Sequence, residues 1–486
     1  MSADGITDTP ITPQRAGHDS DVAPALVDFM ATGWLGRRSA LQPHPRAATH
    51  RERRERLSQA HRGAYLIVPA GRERVRANDT YFRFRPSSDF VYLLGDGEPG
   101  ALLLLEPEGA SHRNLLFVRE HNRGTREFFT DRMYGELWVG RHRGVEESSA
   151  YYGVDACRPL DEFPAYLTEL RDVTSRALVR GADDRIDAAL SECDADVEFA
   201  RYLAEMRLIK DAGELDELRL ACAITKRGFE DAIRAMRNAT SEREIEAAFW
   251  SRARIEANDT GYLTIAAAGD HACTLHWTHN DGALAPGNLL LLDAGVECKS
   301  LYTADVTRTL PVSGRFTAEQ RAVYDVVWEA QRAALAAVLP GNDFLEPNRR
   351  AMRVLAEGLI DLGILAVSLE EALDPNREFY RRYTLHNVSH MLGLDVHDCA
   401  RARAQTYRYG TLREGMVLTV EPGLYLQPDD ATVPERFRGI GVRIEDDVAV
   451  TANGAENLSQ ALPSRASEVE RWIAQTWASP DAGSPT

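Results

Sequence analysis

Residues 289 to 312 read LLLLDAGVECKSLYTADVTRTLPV, and no other stretch limits the fold so tightly. The four leucines Leu289–Leu292 have the character of a buried strand, and the strand runs directly into Asp293. A second strand is expected over Ala304–Val312, with Asp305 at its start. With the turn centred near Lys299, the two aspartates face each other across a hairpin, their Cβ atoms about 4.5–5.5 Å apart. Carboxylates held that close repel each other unless a cation lies between them. For this segment alone, two turn aspartates in solvent are an equally good reading.

Three later segments carry the same kind of signal. TLHNVSHMLGLDVHD sets His386, His390 and His397 among Leu392, Leu394 and Val396. Imidazoles clustered in an apolar setting suit metal ligation or acid–base chemistry near neutral pH. In GMVLTVEPGLYL the apolar strand Met416–Val420 ends on Glu421, and a carboxylate at the inner end of a buried strand needs a partner. GIGVRIEDDVAVT alternates Val442 and Ile444 on one face with Gly441, Arg443 and Glu445 on the other, where a surface ion pair is the plainer reading. Together the segments supply Asp293, Asp305, His390, Glu421 and Glu445. Such oxygen-rich ligation suits manganese or magnesium better than a structural zinc. Four negative charges balance two divalent cations, the stoichiometry of a two-metal hydrolase.

A chain of 486 residues exceeds one ordinary core, so two domains with tails are expected. Residues 1–50 form a flexible arm, with one short helix from Asp21 to Trp34 signalled by Val22, Leu26, Phe29 and Met30. Residues 51–203 form an α/β domain that RRERLSQA opens as a helix. Its strands are AYLIVPA, DFVYLLG, ALLLLEP and NLLFVRE, each bounded by turn residues. One long helical pattern covers 198–237, two further helical segments precede residue 262, and helices follow at 317–338 and 345–363. Pro-Gly turns at Pro286, Pro340 and Pro422 separate short strands, so residues 204–475 form an α+β domain with a mostly antiparallel sheet. Residues 476–486 are expected to be a disordered tail.

Composition removes several classes of function. A net charge of -17 opposes binding to nucleic acid, which needs a positive footprint. No apolar run is long enough to span a membrane. The opening MSADGITDTPITPQ lacks the basic and apolar parts of a secretory signal. Six scattered cysteines without a CxxC pair fit neither a thiolate zinc site nor a disulfide framework, and they read as residence in the reducing cytoplasm.

The order Asp, Asp, His, Glu, Glu, with the strings LHWT (His276), DAG…ADVTRT, HNVSHMLGLDVHD, VLTVEPGLY and GVRIEDD, resembles the pita-bread metallopeptidases of family M24. Within that family it is most similar to the aminopeptidase P branch, Xaa-Pro aminopeptidases whose N-terminal domain YFRFRPSSDFVYLLG and ELWVGRHRG also resemble. The resemblance spans about residues 51–465. It departs from the usual pattern in a wider spacing between the two aspartates and in a longer N-terminal arm. It implies an α+β protein, a creatinase/prolidase-like α/β domain followed by a duplicated pita-bread domain, assembled as a homodimer or homotetramer. It also implies release of the residue preceding proline from peptide N-termini, with two divalent ions, Mn²⁺ first, on Asp293, Asp305, His390, Glu421 and Glu445. Asp305 and Glu445 would bridge the ions, Asp293 would serve mainly one, and His390 with Glu421 the other. Glu421 would be the general base, His397 the donor to the tetrahedral oxygen, and His276 a substrate-orienting group. His386 and Arg443 would border the substrate pocket, Arg443 also tuning Glu445, and Tyr425 would lie by a hydrophobic slot for the proline ring. Trp138 and Arg141 are candidates for contacts beyond proline, a buried tryptophan and a surface arginine being the simpler reading. Prolidase, which takes only dipeptides, shares all five ligands. A binding protein built on the same fold would have lost ligands, and none of the five is lost.

Overall fold

The computed structural model describes residues 22–35 and 42–479 and divides the chain into two compact units, Met1–Phe199 and Ala200–Thr486. The division falls within the helix Asp194–Arg207. Most of the expected arm and the last seven residues lie outside the described residues; inside the arm, the helix Pro24–Met30 forms within the expected span.

The first unit is built on a five-stranded sheet in the order Ala156–Pro159, Ser111–Val118, Leu102–Glu108, Tyr65–Pro69, Arg176–Leu178. The three central strands pair antiparallel and the two outer ones join parallel. DFVYLLG, expected as a strand, is instead the helix Ser88–Leu94. Short apolar runs fit a buried strand or a buried helix equally well. Here Asp89 through Leu94 are all buried, and Gly95 ends the turn at φ 100°, a backbone state open mainly to glycine. The opening helix is longer than RRERLSQA and runs Ala47–Ala60, into the segment expected to be flexible. It brings Arg53 and Arg54 under the C-terminus of Ser88–Leu94, where they donate to the carbonyls of Tyr92 and Leu93.

In the second unit the long helical pattern is broken at Asp211. Its side chain accepts from the Glu214 amide while the Glu214 carboxylate accepts from the Asp211 amide, a reciprocal cap that starts a new helix, Ala212–Met236. Only one helix, Glu242–Glu256, stands where two were expected before residue 262. Ala318–Leu335 and Glu346–Asp361 lie where expected. The helix Ala466–Ala478 runs into the segment expected as a tail, because burial of Val469, Trp472, Ile473 and Thr476 on one face holds it. Every ladder in this unit is antiparallel. The ladders that position the site are Thr307–Pro311 on Leu289–Asp293 on Ile265–Ala268, Val417–Val420 on Asp446–Thr451, and Gly423–Leu426 on Ile440–Arg443. No helix of the described residues is long and apolar enough to cross a membrane.

Candidate metal centre

Asp293 ends its strand as expected, but its partner across the hairpin is Thr307 rather than Asp305. After Asp293 the chain first makes the short strand Val296–Glu297, paired with Asp259–Thr260. On the way back, the Asp305 amide donates to the Asp447 carboxylate at 3.0 Å, which takes Asp305 out of the ladder. The two aspartates nevertheless meet. The Tyr262 hydroxyl lies 2.6 Å from Oδ1 of Asp293 and 2.6 Å from Oδ1 of Asp305. A hydroxyl carries one proton, so only one of these contacts is its donation; the other sets two lone pairs together unless a further proton or cation intervenes.

His390 is fixed by exchange with Thr419, whose amide donates to the His390 carbonyl at 2.9 Å and whose Oγ1 accepts from the His390 amide at 3.1 Å. Its Nε2 then lies 3.3 Å from Asp305 and 3.5 Å from Glu421. Glu445 sits in the break between Ile440–Arg443 and Asp446–Thr451, and accepts from Thr307 Oγ1 at 2.6 Å. One ligand atom each from Asp305, His390 and Glu445 lies within 4.8 Å of the others, a spacing that a metal ion fills.

The electrostatics point the same way. Burial drives the carboxyls of Asp293, Glu421 and Glu445 up, and their mutual charge pushes further in the same direction, against Arg443. Burial alone would lower His390, but its hydrogen bond to Asp305 and the nearby charge of Glu421 raise it to about 9. Four carboxylates around one guanidinium and one imidazole are short of positive charge, so the donor set fits divalent cations bound by oxygen and imidazole. A stability trend follows for the metal-free protein. Glu421 is raised from 4.5 to about 7 and His390 from 6.5 to about 9. A raised group stabilises fully below its unfolded value, and that stabilisation is lost as pH climbs through the folded value. His386, lowered from 6.5 to about 4 by burial first and Arg443 second, acts in the opposite sense but only below 6.5. The melting temperature of chelator-treated protein is therefore expected to fall between about pH 6.5 and 9, and Mn²⁺ is expected to flatten the trend. A melting temperature that rises across that window contradicts it.

The remaining expected site residues divide into two groups. His276 and His397 are open to solvent, with the His397 ring 4.4 Å from that of His390. Tyr425 and Arg443, expected near the substrate, are buried at 5% and 3% exposure and belong to an internal chain. Arg443 holds Asp293 at 2.5 Å and donates to the Tyr425 hydroxyl at 2.9 Å, and that hydroxyl meets His386 Nε2 at 2.8 Å. The hydrogen-bonded link from Arg443 to Glu445 runs through Thr307, to which its Nε donates at 3.1 Å, while its charge also acts on the Glu445 carboxyl directly. It therefore acts on Asp293 first, because the broken strand turns its guanidinium toward that residue. In the other unit, Trp138 is half-exposed with its indole N–H on the Phe129 carbonyl, and Arg141 pairs with Glu147. Sequence reading missed Tyr262 and Thr307; neither has a local signal, since each acquires its role from strands distant in the chain.

The known proteins that this chain resembles identify its family. Residues 50–179 match the aminopeptidase P N-terminal domain, and residues 216–452 match metallopeptidase family M24. Xaa-Pro aminopeptidase 1 of Streptomyces coelicolor is 46% identical over 476 residues, covering 96% of each chain. The Escherichia coli Xaa-Pro aminopeptidase is 34% identical, over 86% of this chain and 96% of its own. Among solved structures, Pseudomonas aeruginosa aminopeptidase PepP superposes with a TM-score of 0.80 at 33% identity, over 90% of this chain and 100% of that one. The chain is a metallopeptidase. It belongs to family M24, in the aminopeptidase P branch, with that branch's N-terminal domain and a pita-bread catalytic domain.

Proposed function

We propose that this enzyme releases the N-terminal residue from peptides with proline at the second position, using two divalent ions, Mn²⁺ first. The observation that carries the reading is the convergence of Asp305, His390 and Glu445, with Asp293 joined to Asp305 through the Tyr262 hydroxyl and Glu421 3.5 Å from His390. Those five residues would hold the ions. Bound there, the ions supply Lewis acidity and bring the pKa of water toward neutrality. Glu421 takes up a proton and returns it to the departing amine; its partners His386 and His390 lie 3.6 and 3.5 Å away. His397 donates to the scissile carbonyl oxygen as negative charge develops. His386, made neutral by burial, accepts from the Tyr425 hydroxyl on Nε2 and faces Glu421 with the opposite side of its ring. His276 orients the peptide. A proline after the scissile carbonyl offers no N–H, so recognition rests on shape and on the carbonyl rather than on a donated hydrogen bond. The free cysteines support a cytoplasmic setting, and the family resemblance supports a homodimer or homotetramer.

The test uses chelator-stripped protein reloaded with Mn²⁺ and two peptides, Ala-Pro and Ala-Pro-Ala-Phe. Free alanine from the tetrapeptide, dependent on the added metal, is the expected result. Hydrolysis of the dipeptide alone would make the enzyme a prolidase. Hydrolysis of neither, with metal bound, would overturn the proposed reaction.

A further inference from the structure

Outside the metal cluster, one buried carboxylate collects an unusual set of donors. Glu242 opens the helix Glu242–Glu256 and is 0% exposed. Its Oε1 accepts from the Ala268 amide at 2.7 Å and meets His271 Nδ1 at 2.8 Å. Its Oε2 accepts from the Trp277 indole at 2.8 Å and from the Gly282 amide at 2.7 Å. The Glu242 amide in turn donates to the Gly282 carbonyl at 3.0 Å.

These donors belong to a single loop. Ala268 ends the strand Ile265–Ala268, Gly282 closes the loop, and His271 and Trp277 lie between them, ring on ring at 3.8 Å. Glu242 thus ties both ends and the middle of the segment to one point. His276 is next to Trp277, on a tight turn closed by the Thr278 amide on the His276 carbonyl at 3.1 Å, and its own side chain faces solvent. A side chain that receives no hydrogen bond of its own takes its position from the backbone beneath it. Space at the anchor is filled: a Cβ on Gly282 would lie 2.6 Å from the His271 ring and 2.8 Å from Glu242 Oε1.

We propose that Glu242 is a positioning residue that fixes the loop carrying His276, and so sets where that imidazole meets the peptide. This rests on the reading of His276 as a substrate-orienting group. The carboxylate form is required, because four donors need two acceptor oxygens; an amide would turn its own N–H₂ against two of them.

Glu242→Gln, Trp277→Phe and His276→Ala are compared singly and in pairs, with Mn²⁺ content and hydrogen exchange of residues 269–282 measured on each holoenzyme. Trp277→Phe removes one of the four bonds and keeps the ring stacked, so it carries the test if Glu242→Gln does not fold. His276→Ala is expected to lose on the order of 10²-fold in kcat/KM, the scale for a substrate held about 1 Å out of place. Glu242→Gln is expected to lose roughly tenfold, and Trp277→Phe less, with metal content unchanged and exchange of the loop faster. In the His276→Ala background neither substitution is expected to lower activity further, because the effect runs through His276. Losses that multiply with that of His276→Ala would overturn the proposal while leaving His276 in its role. Full activity of His276→Ala would overturn the role of His276, and the proposal with it.

Discussion

Asp305→Ala is expected to lower kcat/KM for Ala-Pro-Ala-Phe by at least about 10³-fold, a barrier increase of about 4 kcal/mol. Asp305 stands where the cluster's contacts cross: 2.6 Å from the Tyr262 hydroxyl, 3.3 Å from His390 Nε2, and part of the triad with Glu445. Its removal takes away a ligand proposed to serve both ions, so the metal bound per chain should fall together with activity. The fold should persist, since the Asp305 side chain forms no part of the hydrophobic core and its backbone amide keeps the Asp447 carboxylate. Asp305→Asn separates charge from shape: it keeps the oxygen facing Tyr262 but loses the negative charge, and a comparable loss is expected. Asp325→Ala, which breaks only a surface pair with Arg321, is the control, with stability expected within about 0.5 kcal/mol of the parent. Steady-state kinetics with metal analysis reads all three, and urea unfolding reads the stability of the control. Retention of more than about a tenth of the activity by Asp305→Ala, with metal content intact, would remove the cluster from the mechanism.

The five proposed ligands were legible because each carboxylate ends or adjoins a short apolar run, and a charge in that position needs a reason that local sequence does not supply. The pairing that unites them was less so. Thr307 and not Asp305 opposes Asp293, because the intervening residues form a second small ladder with Asp259–Thr260, set by a strand far upstream. Arg443 and Glu445 follow simple alternation on paper, yet the strand breaks between them and sends the guanidinium to Asp293. The apolar run of Ser88–Leu94 could not declare itself helix or strand from composition, and only burial on every side with Gly95 at its end decides it. Tyr262 and Glu242 left no sequence trace at all. A tyrosine after glycine and a glutamate at a helix start are ordinary locally, and their importance comes from partners 26 to 43 residues away.

Arg308→Met is expected to cost about 3–5 kcal/mol of folding stability, the range for removing one member of a buried ion pair. Arg308 is 0% exposed and lies on the strand that opposes Asp293. Its Nε donates to the Pro463 carbonyl at 2.8 Å. One terminal nitrogen donates to the carbonyls of Thr307 and Glu445 at 2.9 and 2.6 Å, the other to the Leu462 carbonyl and the Asp446 carboxylate, both at 2.7 Å. All five N–H donors of the guanidinium are thus used, and they join Thr307–Pro311, the residue Glu445, and the segment before the last helix at one point. Methionine fills most of the volume but leaves four carbonyls without that donor and Asp446 with only neutral ones, Gln331 and Ser459. Lysine keeps the charge yet brings three donors to a site built for five, so Arg308→Lys is expected to recover only part of the loss. The measurement is the urea midpoint of the metal-loaded protein, with parent and variants at equal Mn²⁺, because bound metal adds its own stabilisation. A shift under about 1 kcal/mol for Arg308→Met would mean that water or rearranged side chains satisfy those carbonyls. The strand bearing Thr307, and with it Glu445, would then be held by packing rather than by this guanidinium.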